Sequence, residues 1–302
     1  MAVEMKDVGR SDRRTVGQWL LFGLSVLAAC GRGDRIVVGA KNFTESDLLG
    51  EIVAQQIERR TGLRVERRLH LGGTFVCHRA ITRGQIDLYV EYTGTALRAV
   101  LHDSGPADRD SAYRAVAALY RRRFGLVWGT PFGFNNTFAI VVRQADARRE
   151  KLSRISDLVR VAPRWRAGFG PEFLDRPDGF PGLARAYGLR FAGPPTAMDL
   201  GLTYRALADG KVDVIAGNST DAAIQALDLV AIEDDRRYFP PYEAAPVVRA
   251  AVLERHPAVR AALDQLGGKI SDAEMRRLNL EADVRHRDIG VVAREWLERA
   301  VP

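Results

Sequence analysis

Cysteine is scarce in this chain, with only two residues among 302. Cys30 lies in the N-terminal region, and Cys77 lies in the apolar, helix-like stretch TFVCHRAI. If Cys30 carries a modification, Cys77 has no partner, and the sequence then predicts no intrachain disulfide. Cys77 is interpreted as a small side chain of the core.

Sequence signatures of catalysis and of metal binding are also missing. The chain contains no G-x-S-x-G elbow, H-E-x-x-H helix, P-loop or EF-hand loop. Its histidines are scattered without metal-ligand spacing, and we interpret them as surface or helix-end residues: His70, His78, His102, His256 and His286. We therefore expect neither a metal nor a cofactor, and no enzymatic activity.

Positive charge is in excess, but it does not form a nucleic-acid site. The net charge is +7 and the pI is about 9.7, yet acidic residues separate the basic ones along the chain. The run Arg121-Arg122-Arg123 ends a helix-like stretch that starts near Asp110, where cations suit the helix dipole. A hydrophobic content of 46% suffices for a large core in one or two lobes. We expect a basic surface and no nucleic-acid partner.

The apolar run VGQWLLFGLSVLAAC ends at Cys30 and follows Arg10, Arg13 and Arg14. Its 15 residues are too few for a membrane span and are typical of a secretory signal. The junction LAACG resembles a bacterial lipobox, which implies cleavage before Cys30 and a lipid on its sulfur. Residues 1–29 are thus predicted to be a lipoprotein signal peptide, with an ordinary signal peptide as the alternative.

Strand and helix patterns alternate after this segment. RIVVGA (35–40), LRVERRLHL (63–71) and QIDLYVEY (85–92) resemble strands, and helical spacing separates them. Thr44 and Asp47 suggest a capping pair at the first helix, and Gly62 suggests its end. The alternation predicts an α/β fold with a largely parallel sheet. Ligands bind at the carboxyl ends of such strands, where Lys41 and Tyr92 lie.

One unit of the chain is repeated. RAITRGQIDLYVEYTGT (79–95) and RALADGKVDVIAGNSTD (205–221) share a pattern of helix, glycine, aspartate and apolar strand at an offset of 126 residues. The repeat aligns Tyr92 with Asn218 and Thr95 with Asp221. The repeated Asp87 and Asp213 are interpreted as structural capping residues rather than as a catalytic pair. Two lobes of similar build, each presenting one loop to a shared cleft, are predicted.

Two segments suit crossings between the lobes. WGTPFGFNNTFAIVVR (128–143) and YFPPYEAAPVVRAAVL (238–253) combine turn residues with apolar stretches. We predict that lobe 1 comprises residues 33–135 and 243–302, and that lobe 2 comprises residues 136–242. The helices after Pro257 should pack on lobe 1, and the paired crossings would permit rigid-body closure.

These stretches together resemble the glycine betaine/choline/carnitine-type substrate-binding proteins of ABC transporters. The resemblance extends from about Arg35 to Leu297 and is carried by VGAKNFTES, LGGTFVCHRAITRGQIDLYVEYTGT, PFGFNNTFAIVV, EFLDRPDGFPGL, GLTYRALADGKVDVIAGNSTD and DDRRYFPPYEAAPVVR. It implies a two-lobed periplasmic-binding-protein fold (type II) with two hinge crossovers. It also implies a monomer in the periplasm or cell envelope that is anchored by its lipid and partners ABC permease and ATPase subunits.

The resemblance also implies a ligand site. The family holds a trimethylammonium group in an aromatic cage, because such a cation has no N–H to donate and is attracted to aromatic faces. The cage positions match Tyr92, Phe132 and Tyr242, and the positions toward a ligand carboxylate match Lys41, Thr95, Arg176 and its paired Glu172. Asn218 stands where better-known betaine binders carry an aromatic residue.

Asn218 leaves the ligand open. A polar wall suits a betaine with a larger polar group, or a zwitterion without methylated nitrogen such as an amino acid. An exported enzyme that uses Glu172, Asp213 and Asp221 is a further alternative, which the missing nucleophile–base motifs disfavour.

Overall fold

The computed structural model describes residues 35–103, 105 and 108–302. The predicted signal peptide and Cys30 lie outside the described residues. No helix within the described part of the chain is long and apolar enough to cross a membrane.

Ten strands form two sheets of five within the described residues. In chain order the strands are β1 (Arg35–Gly39), β2 (Arg64–Arg68), β3 (Leu88–Tyr92), β4 (Leu126–Trp128), β5 (Phe138–Arg143), β6 (Ala167–Phe169), β7 (Thr196–Ala197), β8 (Val214–Asn218), β9 (Leu229–Ile232) and β10 (Ala244–Arg249). The first sheet has the order β2-β1-β3-β10-β4, and the second has the order β7-β6-β8-β5-β9. The two sheets therefore share one topology.

One strand in each sheet runs against the other four. β1 is parallel to β2 and β3, and β10 is antiparallel to β3 and β4. β6 is parallel to β7 and β8, and β5 is antiparallel to β8 and β9. Four strands of each sheet point the same way, as predicted, but each sheet is mixed, because half of its pairings are antiparallel. The exceptions, β5 and β10, are the strands at which the chain enters one sheet after leaving the other.

Helices cover the faces of both sheets. They are α1 (Thr44–Thr61), α2 (Thr74–Thr82), α3 (Thr93–Thr95), α4 (Arg109–Phe124), α5 (Gln144–Glu150), α6 (Pro171–Asp175), α7 (Phe180–Tyr187), α8 (Leu200–Ala208), α9 (Ala223–Ala226), α10 (Ala250–Arg255), α11 (Pro257–Asp264), α12 (Asp272–Asn279) and α13 (Ile289–Ala300). Short 3-10 segments span Ile155–Arg160 and Ala162–Arg164, and π-helical segments span Ala96–Leu101 and Leu280–Val284. α11 and α13 pack on α1, so the C-terminal helices lie against the first sheet's layer, as predicted.

Each sheet has an apolar core on both faces, since strand side chains alternate. In β1, Val38 belongs to one buried cluster and Val37 to another. In β5, Val142 belongs to one buried cluster and Val141 belongs to another. Cys77 is buried in the core beside the first sheet, which confirms its predicted place.

The start of α1 differs from the prediction. Phe43 is the N-cap and has no side-chain cap, so the predicted Thr44–Asp47 pair is wrong. The Asp47 carboxylate instead accepts the backbone N–H of His70 at 2.8 Å, in the turn that follows β2. The local pattern predicted a bond from this carboxylate to the start of the helix, but the carboxylate is bonded to the turn after β2. α1 ends before Gly62 as expected.

The internal repeat is confirmed at the level of elements. α2 and β3 recur as α8 and β8 at the same offset of 126 residues. Asp87 accepts the backbone N–H of Val37 at 2.9 Å, and Asp213 accepts that of Arg166 at 2.9 Å. The structural interpretation of both aspartates is therefore confirmed.

Candidate functional site

A buried ion pair lies at the carboxyl ends of β1 and β3. Lys41 Nζ is 2.5 Å from Glu91 Oε1 and 4.8 Å from the ring centroid of Tyr92. The exposed fractions of Lys41 and Tyr92 are 4%, and Glu91 is fully buried. The ammonium group is thus neutralised by Glu91 and at the same time lies over an aromatic face.

Glu45, near the start of α1, accepts four side-chain donors. The hydroxyl of Tyr92 lies 2.7 Å from Oε1, as does the amide of Asn136. The hydroxyl of Thr220 lies 2.5 Å from Oε2, and the amide of Asn279 lies 2.8 Å away. Burial raises the pKa of Glu45, although all four donors oppose the shift. This carboxyl ties the first-sheet region to the loop after β8.

A second buried group joins Tyr242 to Arg176 through Asp178. Asp178 accepts Arg176 Nε at 2.9 Å and Nη2 at 2.5 Å, and it accepts the hydroxyl of Tyr242 at 2.7 Å. Arg176 Nη2 also lies 3.3 Å from the hydroxyl of Thr95, directly after β3. Residues that follow α6 therefore contact the loop of the first repeat unit.

Aromatic rings continue from Tyr242 into the second-sheet region. The Phe138 centroid is 5.7 Å from that of Tyr242, and the Arg176 guanidinium lies 5.1 Å from the Phe138 centroid. Phe43 is the ring neighbour of Tyr92, at 6.3 Å. Gly94 leaves room for the Tyr242 ring, because a Cβ at position 94 would come within 2.8 Å of that ring.

Asn218 is directed toward its own loop. Its backbone N–H donates to Asp221 Oδ2 at 2.9 Å, and its side-chain amide lies 3.2 Å from the same oxygen. The hydroxyl of Tyr204 donates to that carboxylate at 2.5 Å. Burial raises the pKa of Asp221 to about 7. The polar end of the second repeat unit is therefore a compact network around Asp221.

Phe132 and Glu172 each lie beside other predicted site residues. Phe132 is fully buried in the core, and its backbone pairs with Ala244. Phe132 belongs to the same buried apolar cluster as Tyr92 and Tyr242, although its ring does not stack on either of them among the residues that the structure describes. Glu172 lies 3.9 Å from Arg176 and so close to α2 that a Cβ on Gly73 would be 2.0 Å from its Oε1.

The comparisons with known proteins bear on this arrangement. Residues 34–299 match the family model described as the substrate-binding domain of the ABC-type glycine betaine transport system. The chain belongs to this family.

Two relatives and one solved structure illustrate the membership. The carnitine transport binding protein OpuCC of Listeria monocytogenes is 36% identical over 268 residues, which cover 88% of this chain and 87% of the relative. The ergothioneine transport permease/ergothioneine binding protein EgtU of Helicobacter pylori is 33% identical over 265 residues, covering 87% of this chain and 47% of the relative. A crystal structure of a glycine betaine/carnitine/choline ABC transporter protein matches with a TM-score of 0.71 and 32% identity, covering 87% of this chain and 98% of the other. The two-lobed fold expected of the family is confirmed.

In this substrate-binding chain, six of the predicted site residues lie in two groups. Lys41 and Tyr92 form one, and the other consists of Thr95, Glu172, Arg176 and Tyr242. Asn218 is bonded within its own loop, and Phe132 shares the buried apolar cluster of Tyr92 and Tyr242. Their role at the site, like that of the other predicted residues, stays a prediction.

Sequence reasoning missed the carboxylates around which these buried groups are built. Glu45, Glu91 and Asp178 lie inside the stretches that carry the resemblance, next to predicted residues. A signal existed for Glu91, because a charged residue inside the apolar strand LYVEY requires a buried partner. No local pattern distinguished Glu45, Asp178 or Phe138.

Proposed function

We propose that this protein captures a quaternary ammonium compound between its two lobes and delivers it to an ABC permease. The observation that carries the proposal is a cation already held on the Tyr92 ring, where Lys41 Nζ lies 4.8 Å from the centroid. The Tyr92 hydroxyl donates to Glu45, which fixes the ring and enriches its electron density. A methylated ammonium would be attracted to such a face.

Tyr242 is proposed as a second wall, since its hydroxyl is likewise anchored on a carboxylate, Asp178. Phe138 packs on Tyr242, and Phe132 is retained as the third predicted cage position. Lys41, Thr95 and Arg176 supply polar groups for an anionic end, with Glu172 beside Arg176. These positions follow the family pattern and are supported by the burial of both tyrosines.

Calorimetry with Tyr92→Ala and Tyr92→Phe tests the site. Tyr92→Ala should weaken binding of glycine betaine, carnitine or choline at least tenfold, because the aromatic face is lost. Tyr92→Phe retains the face and loses only the hydroxyl, so its affinity should stay within a few-fold of the wild type. Unchanged affinity of Tyr92→Ala would remove this residue from the site. Native mass spectrometry of the purified protein would reveal any retained cation.

A second candidate ligand is a betaine with a larger polar group, which Asn218 favours. The names of the two relatives include carnitine and ergothioneine, and both relatives cover most of this chain. A thermal-shift screen of betaines against amino acids separates the candidates. Stabilisation only by compounds without a methylated nitrogen would contradict the aromatic cage and favour an amino-acid ligand.

Lobe boundaries at 135/136 and 242/243 are proposed as the hinge. The matching topologies of the two sheets, and the crossings between β4 and β5 and between β9 and β10, support this division. We propose a monomer without enzymatic activity, whose closed lobes together contact the permease. Recovery of any bound ligand unchanged after incubation would agree with this role, and its conversion would favour the enzyme alternative.

Export and anchoring through Cys30 complete the proposal. The run before Cys30 and the junction LAACG support a lipoprotein signal. Metabolic labelling with a radioactive fatty acid should mark the wild type and leave Cys30→Ala unlabelled. Labelling of both proteins would contradict lipidation at this residue.

A further inference from the structure

Arg98 has a guanidinium nitrogen without a partner next to the candidate site. It lies in the π-helical segment Ala96–Leu101, three residues after Thr95. Its Nε is buried without a hydrogen-bond partner, and no described residue forms an ion pair with it. Buried donors are almost always paired, and a charged one without a partner is costly. The Arg98 Nε therefore calls for an acceptor that the described residues do not supply.

A cavity adjoins this arginine. Its volume is about 310 Å³, and it is lined by Arg98, His102, Asp103, Pro177, Asp178 and Tyr238. The first three follow β3, and the last three belong to the segments around α6 and β10, so both lobes proposed above contribute. Asp178 also contacts Tyr242 and Arg176, which connects the cavity to the candidate site.

The charges around the site differ in how far they are already neutralised. Lys41 is paired with Glu91, and Arg176 is held by both oxygens of Asp178. A ligand carboxylate at either cation would meet a charge that a protein carboxylate already neutralises, so the electrostatic gain there would be small. No described residue neutralises Arg98 in this way.

The other ionisable groups of the cavity do not block an anion at Arg98. Asp178 has its oxygens engaged as described, and Asp103 accepts the backbone N–H of Gly105. The positive charge of Arg98 also acts on two tyrosines, since it opposes the burial that raises the pKa of Tyr238 and Tyr242.

We propose that Arg98 binds the carboxylate of a zwitterionic quaternary ammonium ligand in this cavity, while the ammonium group lies on Tyr92 and Tyr242, the two cage tyrosines proposed above. This inference rests on the proposed function. It assigns the selection of zwitterions over plain cations to Arg98, which the family pattern did not include. A charge-assisted pair of this kind contributes about tenfold to a hundredfold in affinity.

Calorimetry with paired ligands tests the assignment. Carnitine and glycine betaine carry a carboxylate, and choline carries a hydroxyl in its place. Arg98→Met should weaken the binding of carnitine or glycine betaine at least tenfold and change the affinity for choline less than threefold. Arg98→Lys should restore part of the loss, because the cation is kept. Arg190→Met, at an exposed position outside the cavity lining, is the matched control and should change neither ligand.

The outcomes separate the two proposals. Equal weakening of choline and of the zwitterions, or no weakening of either, would overturn the role of Arg98 while leaving the quaternary ammonium site intact. A wild-type protein that binds none of the three ligands would overturn the proposed function, and the Arg98 inference with it. Thermal melting of each variant identifies loss of folding. If Arg98→Met does not fold, the ligand comparison is made with Arg98→Gln, which removes the charge and keeps a polar side chain. An unchanged ratio of zwitterion to choline affinity in Arg98→Gln would overturn the inference.

Discussion

The two copies of the repeated unit share their framework and differ at their ends. In both, an aspartate accepts a backbone N–H from the neighbouring parallel strand, and an antiparallel strand from the other half of the chain lies alongside. The strand of the first copy ends in Glu91 and Tyr92, and the strand of the second copy ends in Gly217 and Asn218. The framework is thus symmetric, and the candidate site is not.

Packing explains why the second copy has no counterpart of Glu91. A Cβ on Gly217 would come within 1.8 Å of the Tyr204 hydroxyl, so that ring occupies the space of any side chain. Tyr204 donates to Asp221, which completes a local network in the second copy. Glu91 instead reaches Lys41, 50 residues away. The polar groups of the second copy are hydrogen-bonded within that copy, whereas Glu91 of the first copy is paired with Lys41, in the segment after β1.

Removing Glu91 should have the largest effect on this contrast. Glu91→Gln leaves the buried ammonium of Lys41 without a counter-charge, and we expect a loss of about 3–5 kcal/mol in the free energy of unfolding. Urea denaturation measures the loss. The double variant Lys41→Met/Glu91→Leu should be much less destabilised, since neither charge remains. A double variant as unstable as Glu91→Gln would show that the ion pair is not the cause.

The repeated aspartates should behave alike. Asp87→Asn and Asp213→Asn each weaken a charge-assisted bond to a backbone N–H, and we expect each to lower the free energy of unfolding by about 1.5–3 kcal/mol at pH 7. Burial alone would raise the pKa of Asp213, but Arg166 and Arg143 lower it overall. Its contribution is therefore present above the unfolded-state pKa of about 3.9 and disappears as the pH falls through the lower folded-state value. Denaturation at pH 7 and pH 3 should show the Asp213→Asn deficit shrinking in acid. A large difference between the two variants at pH 7 would break the symmetry of the framework.

Asp221 should give the second copy a pH dependence that Thr95, its aligned residue, cannot give the first. The pKa of Asp221 is raised to about 7 by burial, so the folded state favours the protonated form. Its stabilisation is complete below the unfolded-state pKa of about 3.9 and is lost as the pH rises toward 7. As the pH rises from 5 to 8, the stability of Asp221→Asn relative to the wild type should therefore increase, by on the order of 1 kcal/mol after allowance for partial exposure. Melting temperatures that differ by a constant amount over this range would contradict the shift.

Asn218→Tyr should have the smallest effect and would make the two copies more alike. An aromatic face near the proposed cage should strengthen choline binding about two- to fivefold, in line with a single partly exposed cation–π contact. Asn218→Ala is the control, because it removes the amide without adding a ring. Calorimetry of both variants measures the change. Weaker binding of Asn218→Tyr than of Asn218→Ala would indicate that the ligand needs a polar group there.

Much of the fold followed from local patterns. Hydrophobic periodicity and glycine stops predicted the alternation of helix and strand, and the offset of 126 residues predicted the paired units that the structure contains. The Thr44–Asp47 cap failed because a distant backbone donor took the Asp47 carboxylate. Local patterns describe what a segment can do by itself, and they omit competition from segments that are far apart in the chain.

The sequence by itself determined the architecture, the repeated framework, the family and the position of Tyr92 at a strand end. Only the tertiary structure decided which charges are neutralised: Lys41 by Glu91, Arg176 by Asp178, and Arg98 by none of the described residues. It also decided that Glu45 meets Thr220, 175 residues away. The physical reason is that backbone pattern and side-chain periodicity are encoded over a few residues. The pairing of a buried charge depends on which remote side chains the completed fold brings within hydrogen-bond distance.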